Sequence, residues 1–307
     1  MTWWNLRLKR VTLFRERKIV SLTPDELERR RHFITATDVA PLCGRSPWSN
    51  AADVFAAKVY GQNSITNDAM RAGTLLEPSI LAWAHEQLGG IVPGDWRVHE
   101  NGINACSLDG MTVDGEPVEA KTSGIVGPGS PHQWGEAGTD EIPDYYLLQV
   151  HAQLVITGAA RAWVPALLGG RGFVMFQVRA NERIAAGILQ ISEQFWHEHV
   201  EQRVPPEGQL PSLETLRRLK REPGLTADIP VSLVAEYQAA KELEKAATAQ
   251  ATEAQQRLLD AIGPAEAGCW PGGLVTYYEQ TRKAYHVAES TYRTLRVKAD
   301  KRTMVKS

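Results

Sequence analysis

Asp109, Asp114-Gly115 and Glu119-Ala120-Lys121 fall within one short stretch, and together they constrain the fold more than any other part of the chain. Asp-Gly between two short runs, Met111–Val113 and Pro117–Lys121, is a hairpin signal. Residues two apart on a strand face the same side, so Glu119 and Lys121 share a face. Asp109 reaches that face only in some registers. A strict two-residue turn at Asp114-Gly115 pairs 109 with 120 and turns its side chain away. A three-residue loop over 114–116 pairs 109 with 121 and gathers all three groups, and a bulge at Gly110 does the same. One of these two is expected.

Two acids and a lysine on one sheet face suit hydrolysis of a phosphodiester. That chemistry uses a divalent cation to hold nonbridging oxygens and activate water. Mg²⁺ takes hard oxygen ligands, often one or two carboxylates with water and phosphate. Glu119 can bind the metal, and the Ala120 carbonyl is a possible further ligand. Lys121 can orient the attacking water or stabilise the charge that develops. The spacing alone is weakly specific, since exposed strands often alternate Glu and Lys.

Local signals organise the rest of the chain. Thr23-Pro24-Asp25-Glu26 is a capping box with proline at the first helical position, opening a helix to about Arg31. Thr37 is placed to cap a short helix from Asp38 to Cys43, Asn50 one that Gly61 stops, and Asn67 a longer one to Leu88 with Pro78 inside it. Short strands and turns follow from Ile91 to Thr122, then a Gly-, Pro- and Ser-rich loop over 124–139. A helix runs from Pro143 to near Gly158, and strands cover 163–168 and 173–178. An amphipathic helix spans about 182–200. Pro205-Pro206, Gly208 and Pro211 read as a linker, followed by a long Ala-, Glu- and Gln-rich helix over 231–262, a strand-like segment at 274–278 and a basic tail. This predicts a mixed α/β core, 1–205, and a helical and hairpin extension, 206–307.

Charge is unevenly spread. Residues 1–31 hold nine Lys/Arg against four Asp/Glu, residues 282–307 hold eight against two, and 32–281 holds 17 against 30. Basic ends around an acidic body suit local contact with a polyanion and central metal binding, and equally suit solvated termini. The 43% hydrophobic and 23% charged composition is that of a globular chain. There is no apolar run of about 18 residues and no signal-peptide core, so a soluble, cytoplasmic protein without a membrane partner is expected. Cys43, Cys106 and Cys269 are far apart and odd in number, which fits reduced thiols. His85, His132 and His151 show no zinc spacing. Trp134 in the Gly/Pro loop either stacks on a base or anchors the loop. The other tryptophans, Trp48 and Trp270 among them, read mainly as core or contact residues.

The order of motifs adds a resemblance. Arg30, Ile34-Thr35-Ala36-Thr37-Asp38-Val39-Ala40 and Gly44 come first, followed by Gly73-Thr74-Leu75-Leu76-Glu77-Pro78. Ser107-Leu108-Asp109-Gly110 and Val118-Glu119-Ala120-Lys121-Thr122 come next, then Ile142-Pro143, Tyr146, Gln149, Gln153 and Thr157-Gly158. Over residues 30–205 this arrangement closely resembles the YqaJ-like viral recombinase family, relatives of phage lambda exonuclease. The resemblance implies a restriction-endonuclease-like PD-(D/E)xK fold, with a mixed central sheet flanked by helices. It implies Glu77, Asp109 and Glu119 as metal-site acids, with Mg²⁺ (Mn²⁺ able to substitute), and Lys121 as the catalytic lysine. Arg30 and Thr37 would hold a DNA 5′-phosphate, with Thr37 standing where serine is more usual. Tyr146, Gln149 and Gln153 would support the site. Ser107-Leu108 stands where many members carry proline.

The implied activity is 5′→3′ digestion of linear double-stranded DNA, leaving a 3′ single strand for recombination by strand annealing. The implied partners are duplex DNA ends, a ring-shaped homo-oligomer (trimer or tetramer) and a single-strand annealing protein. If the chain is phage-encoded, its cytoplasm is that of a bacterial host. A structure-specific or nicking endonuclease of the same fold, or a catalytically silent DNA-binding recombination factor, are the alternatives. Residues 206–307 lie outside the resemblance.

Overall fold

A computed structural model describes residues 23–63, 67–125 and 133–281. Trp3, Trp4, His132, the basic tail from Arg282 and most of the basic N-terminal stretch lie outside them. The chain divides into two compact units, Met1–Arg221 and Glu222–Ser307. The first continues past the Pro205-Pro206 linker, because the residues that follow bond back to its helices.

Helix α1 (Pro24–Arg31) opens on the capping box of Thr23 and Glu26. Strand β1 (Ile34–Thr35) leads through a tight turn into the short helix α2 (Val39–Leu42). Thr35, not Thr37, makes the capping contacts here. Its amide and hydroxyl both donate to Asp38 Oδ2, at 2.7 and 2.6 Å. Thr35 has an acid three residues on, whereas Thr37 has Ala40 there, so the reciprocal bonds form only at Thr35. Helix α3 (Ala51–Tyr60) runs from the Asn50–Asp53 capping box to Gly61. Helix α4 (Asp68–Gln87) starts at Asn67 and contains Pro78.

Strands β2 (Ile91–Pro93), β3 (Trp96–Val98), β4 (Asn104–Ser107), β5 (Gly110–Thr112), β6 (Pro117–Val118) and β7 (Lys121–Ser123) come next. Then follow α5 (Asp144–Thr157), β8 (Arg161–Leu168), β9 (Gly172–Arg179), α6 (Glu182–Phe195) and α7 (Leu213–Arg218). Six strands form a mixed sheet in which β5 pairs with β2 and β6, and β8 pairs with β6, β7 and β9. A second sheet has the order β1-β4-β3. The expected mixed α/β architecture, sheet strands flanked by helices, is therefore present.

The hairpin register differs from both expected forms. Gly110 pairs with Val118 and Met111 with Pro117. The Thr112 amide donates to the Glu116 carbonyl at 2.9 Å, and the Gly115 amide to the Thr112 carbonyl at 3.0 Å. The loop thus has three residues, but they are 113–115. Gly115, at φ +83°, supplies the left-handed residue that closes such a loop, which fixes where it ends. Continuing the register sets Asp109 opposite Glu119 rather than Lys121, with no bulge at Gly110. Acid and acid are therefore directly opposed, and the three groups still share a face.

Strands β6 and β7 pair with β8 at one constant offset, Val118 with Trp163 and Lys121 with Ala166. They are one strand interrupted at Glu119-Ala120. Helix α5 covers the sheets. Val150 and Leu154 pack with Val164, Phe176 and Val178, while Ala152 packs with Cys106 and Leu108. Burying a side chain such as Phe176 contributes about 2–3 kcal/mol. Trp134, 4% exposed, joins this core beside Tyr146 and Phe176, so it anchors its loop. Trp48 and Trp270 are exposed, against expectation. The three cysteines are free. Among the described residues no helix is long and apolar enough to cross a membrane. The second unit comprises helix α8 (Val231–Ile262) and the antiparallel hairpin β10 (Ala267–Trp270) and β11 (Gly273–Thr276).

Gly94 sits against the corner that carries Asp109. A Cβ there would lie 2.1 Å from the Leu108 carbonyl oxygen and 2.9 Å from the Gly110 nitrogen. Gly94→Ala is expected to cost about 2 kcal/mol in urea denaturation, through forced backbone displacement. An unchanged midpoint would show that the corner moves freely.

Candidate active site

Glu119 is only 4% exposed and sits where the strand is interrupted. Its Oε1 accepts from Lys121 Nζ at 2.6 Å and Gln149 Nε2 at 2.5 Å, and its Oε2 from Gln153 Nε2 at 2.5 Å. Gln149 and Gln153 are one turn apart on α5, so both reach the same carboxylate. Lys121 Nζ also donates to Gln149 Oε1 at 3.1 Å and lies 4.7 Å from the centre of the Tyr146 ring. Burial works against the Lys121 ammonium, but the Glu119 and Asp109 carboxylates outweigh it and raise its pKa above the ordinary lysine value. Lys121 is therefore a firmly protonated group.

Asp109 approaches from the neighbouring strand. Its Oδ2 accepts from the Ala120 amide at 2.9 Å. On the other side of the same strand the Glu119 amide donates to the Trp163 carbonyl of β8 at 2.9 Å. Asp109 thus takes the place of a ladder partner beyond the last β5–β6 pair. Burial, followed by the Glu119 and Glu77 carboxylates, raises Asp109 well above the usual aspartate range, against Lys121 and the Ala120 amide. Glu77, on α4, lines the same cleft.

That cleft has a volume of about 1440 Å³ and brings together Glu77, Asp109, Glu119, Ala120, Lys121 and Tyr146. The loop before α3 adds Arg45 and Trp48 to its rim. Trp48, 66% exposed, packs edge-on against Tyr145 at 4.7 Å, and Tyr145 against Tyr146 at 4.4 Å. An aromatic row therefore runs from solvent to Lys121. Sequence reading missed it because Trp48 and Tyr145 are distant in the chain. Gln149 and Gln153 act behind the cleft, through Glu119.

Arg30 and Thr37 meet, with Arg30 Nη2 donating to Thr37 Oγ1 at 2.7 Å and to Thr35 Oγ1 at 3.2 Å. They line a separate pocket of about 150 Å³, which shares no lining residue with the cleft. Beneath it Lys58 Nζ pairs with Asp38 Oδ2 at 2.6 Å and donates to the Arg30 carbonyl at 3.0 Å. Burial acts to raise Asp38, but Lys58 and Arg30 prevail and hold it below the ordinary value. Lys58 is also lowered, because at the amine burial outweighs Asp38.

The donors around Asp109 suit a hard divalent cation. They are carboxylate oxygens, and at Asp109 burial together with the neighbouring Glu119 and Glu77 carboxylates outweighs Lys121. Among the described residues no three His, Cys, Asp or Glu side chains are gathered closely enough to ligate an ion by themselves. That is compatible with Mg²⁺, which commonly takes one or two carboxylates and fills its remaining positions with water and phosphate.

Residues 27–160, the stretch that holds the acids, Lys121 and the glutamines, match the family described as YqaJ-like viral recombinase domain. Among solved structures, an alkaline exonuclease (LHK-Exo) from Laribacter hongkongensis is similar at 19% identity and a TM-score of 0.48, over 59% of this chain and 94% of that one. Its complex with dAMP aligns over the same shares at 0.47. A phage-related exonuclease from Haemophilus somnus 129PT aligns at 10% identity and 0.42, over 56% of this chain and 96% of that one. No curated protein matches the sequence.

The buried Asp38–Lys58 pair has a measurable stability signature. Asp38→Asn leaves the Lys58 amine buried without its counter-charge and is expected to cost about 3 kcal/mol in urea denaturation. The folded pKa of Asp38 lies below its unfolded value, so its contribution is complete above the unfolded pKa. It is lost as pH falls through the lower folded one. Acid unfolding curves of wild type and Asp38→Asn should therefore converge only well below pH of about 4. Convergence at neutral pH would refute the pairing.

Proposed function

We propose that this protein is a metal-dependent deoxyribonuclease that digests linear double-stranded DNA from 5′ ends. The observation that carries the reading is the opposition of Asp109 and Glu119 beside Lys121 within the large cleft. The YqaJ-like viral recombinase match supports a role in recombination, where a 3′ single strand is the useful product. Glu77, Asp109, Glu119 and the Ala120 carbonyl are the candidate ligands for Mg²⁺ or Mn²⁺, which one or two of these carboxylates would hold with water and phosphate in the remaining positions. The ion, when bound, supplies positive charge at the phosphate and acidifies water.

The residues of the chain do the remaining work. Gln149 and Gln153 hold the Glu119 carboxylate in one orientation. Lys121 presents a protonated amine that can donate to the attacking water or to a phosphate oxygen. The Tyr146 ring restrains that amine and keeps water from one side of it. Arg30 and Thr37 would bind the 5′-phosphate of the digested strand in their own pocket, which measures the end apart from the cleavage point. A closed ring of three or four copies and a single-strand annealing protein belong to the same reading.

Linear duplex labelled at either end, with and without 5′-phosphate, tests this beside a covalently closed circle. The expected result with Mg²⁺ is mononucleotide release from 5′-phosphorylated ends and an intact circle. Cutting of the circle would favour an endonuclease, and DNA binding without cleavage in Mg²⁺ or Mn²⁺ a silent binding factor. Glu119→Ala and Lys121→Ala are each expected to lower cleavage by about 100-fold or more while largely sparing DNA binding. Retained cleavage in either would place the chemistry elsewhere.

A further inference from the structure

Residues 206–221 follow the matched domain, yet they form a strap along α3. At the N-terminal end of that helix, Asp53 Oδ1 accepts from the Ser212 amide at 2.7 Å, and Asn50 Nδ2 donates to the Leu210 carbonyl at 3.0 Å. These are the two residues of the α3 capping box. At its C-terminal end Gln62 and Leu219 form an antiparallel bridge. The Asn63 amide donates to the Arg218 carbonyl at 2.7 Å, and Lys220 Nζ pairs with Glu28 at 2.6 Å. This path sets Ser212, Glu214, Thr215 and Arg218 on the wall of the catalytic cleft, and Lys220 on the wall of the Arg30–Thr37 pocket.

The charge balance of the cleft makes Arg218 informative. Among the described residues five carboxylates line it, against three cations, Arg45, Lys121 and Arg218. Lys121 is occupied by Glu119 and Gln149. A DNA strand adds further negative charge, so the cations not committed to the acids matter most. Arg218 is 21% exposed, and its Nη2 meets Glu214 one turn earlier. Its Nε is buried and has no acceptor among the described residues. Glu214 is 63% exposed, and so solvated a pair contributes little and exchanges easily. Once Nη2 leaves Glu214, the Nη1 and Nη2 edge presents the fork that a phosphate accepts bidentately, with the buried Nε behind it.

We propose that Arg218 binds a backbone phosphate of the DNA strand in the catalytic cleft, exchanging Glu214 for that phosphate. The strap is then part of the substrate-binding wall, contributed by chain outside the matched stretch. The proposal rests on the nuclease reading above and deepens it.

Binding of a fluorescent duplex with a single-stranded extension, read by anisotropy without divalent metal, tests it in the full chain. Affinity is measured between about 50 and 200 mM salt for wild type, Arg218→Ala, Arg218→Lys and Glu214→Gln. Arg218→Ala is expected to bind more weakly and to reduce the slope of log affinity against log salt by about 1. Across that range its affinity then falls about fourfold less than that of wild type. Arg218→Lys should keep the wild-type slope, and Glu214→Gln should bind more tightly. An unchanged slope in Arg218→Ala overturns the proposal. So does weaker binding by Glu214→Gln, which would make the pair a structural strut. Urea midpoints of the variants separate lost binding from lost folding, and Arg218→Lys and Glu214→Gln keep the proposal testable if Arg218→Ala unfolds. If wild type cleaves linear duplex while the Arg218→Ala slope is unchanged, this proposal fails and the nuclease reading stands. If wild type shows no salt-dependent DNA binding, both fail.

Discussion

Glu119 lies inside the domain, and a carboxylate removed from water demands donors. Much of the surrounding chain answers that demand. One donor is Lys121, two residues along the same strand, and two more are Gln149 and Gln153 on α5. The two amides fix both the rotation and the height of α5 over the sheet. Turning the helix by one residue would bury both glutamines against Val164 or Phe176 and strand the carboxylate. Apolar packing by Val150 and Leu154 is thus locked to a polar network, and such a network favours one arrangement over near neighbours.

The backbone is arranged around the same point. Glu119 and Ala120 direct successive amides to opposite sides, one to β8 and one to the Asp109 carboxylate. A side chain thereby closes the ladder where β5 has ended. Asp109 is consequently held in place by a structural bond while burial, and after it the nearby Glu119 and Glu77 carboxylates, raise its pKa. The structural and chemical duties of this residue are inseparable. The buried Asp38–Lys58 pair plays a comparable part under the Arg30–Thr37 pocket, where it ties β1, α2 and α3 to one centre.

Features decided by neighbours in sequence were legible there. Thr23 with Glu26, Asn50 with Asp53 and Asn67 with the Met70 amide fixed helix starts through bonds three residues long. The acids, the lysine and both glutamines could be named as one site. The hairpin was read one residue out, because Gly115 serves as the last loop residue and not the middle one. Thr37 lost the capping role to Thr35 through the position of a single acid, Asp38. Features decided by distant chain were not legible. Trp48 reads as core until Tyr145 is found beside it at the rim. Pro205-Pro206 reads as the start of a separate extension. Only the folded chain shows Asp53 using its second oxygen to catch Ser212.

The constant offset of β6 and β7 against β8 gives the site two independent rulers. Glu119 and Lys121 are indexed by the parallel partner β8, whose spacing takes no account of the loop between β5 and β6. Asp109 is indexed through β5, which the three-residue loop joins to β6 and which β2 registers on its other side. Val113, 70% exposed at the tip, lies where length variation is ordinarily tolerated. Here an added residue that shifted the β5–β6 register would slide Asp109 along an unmoved Glu119 and Lys121. The tip of this hairpin is therefore a surface loop whose length, unlike its sequence, is under the control of the buried site.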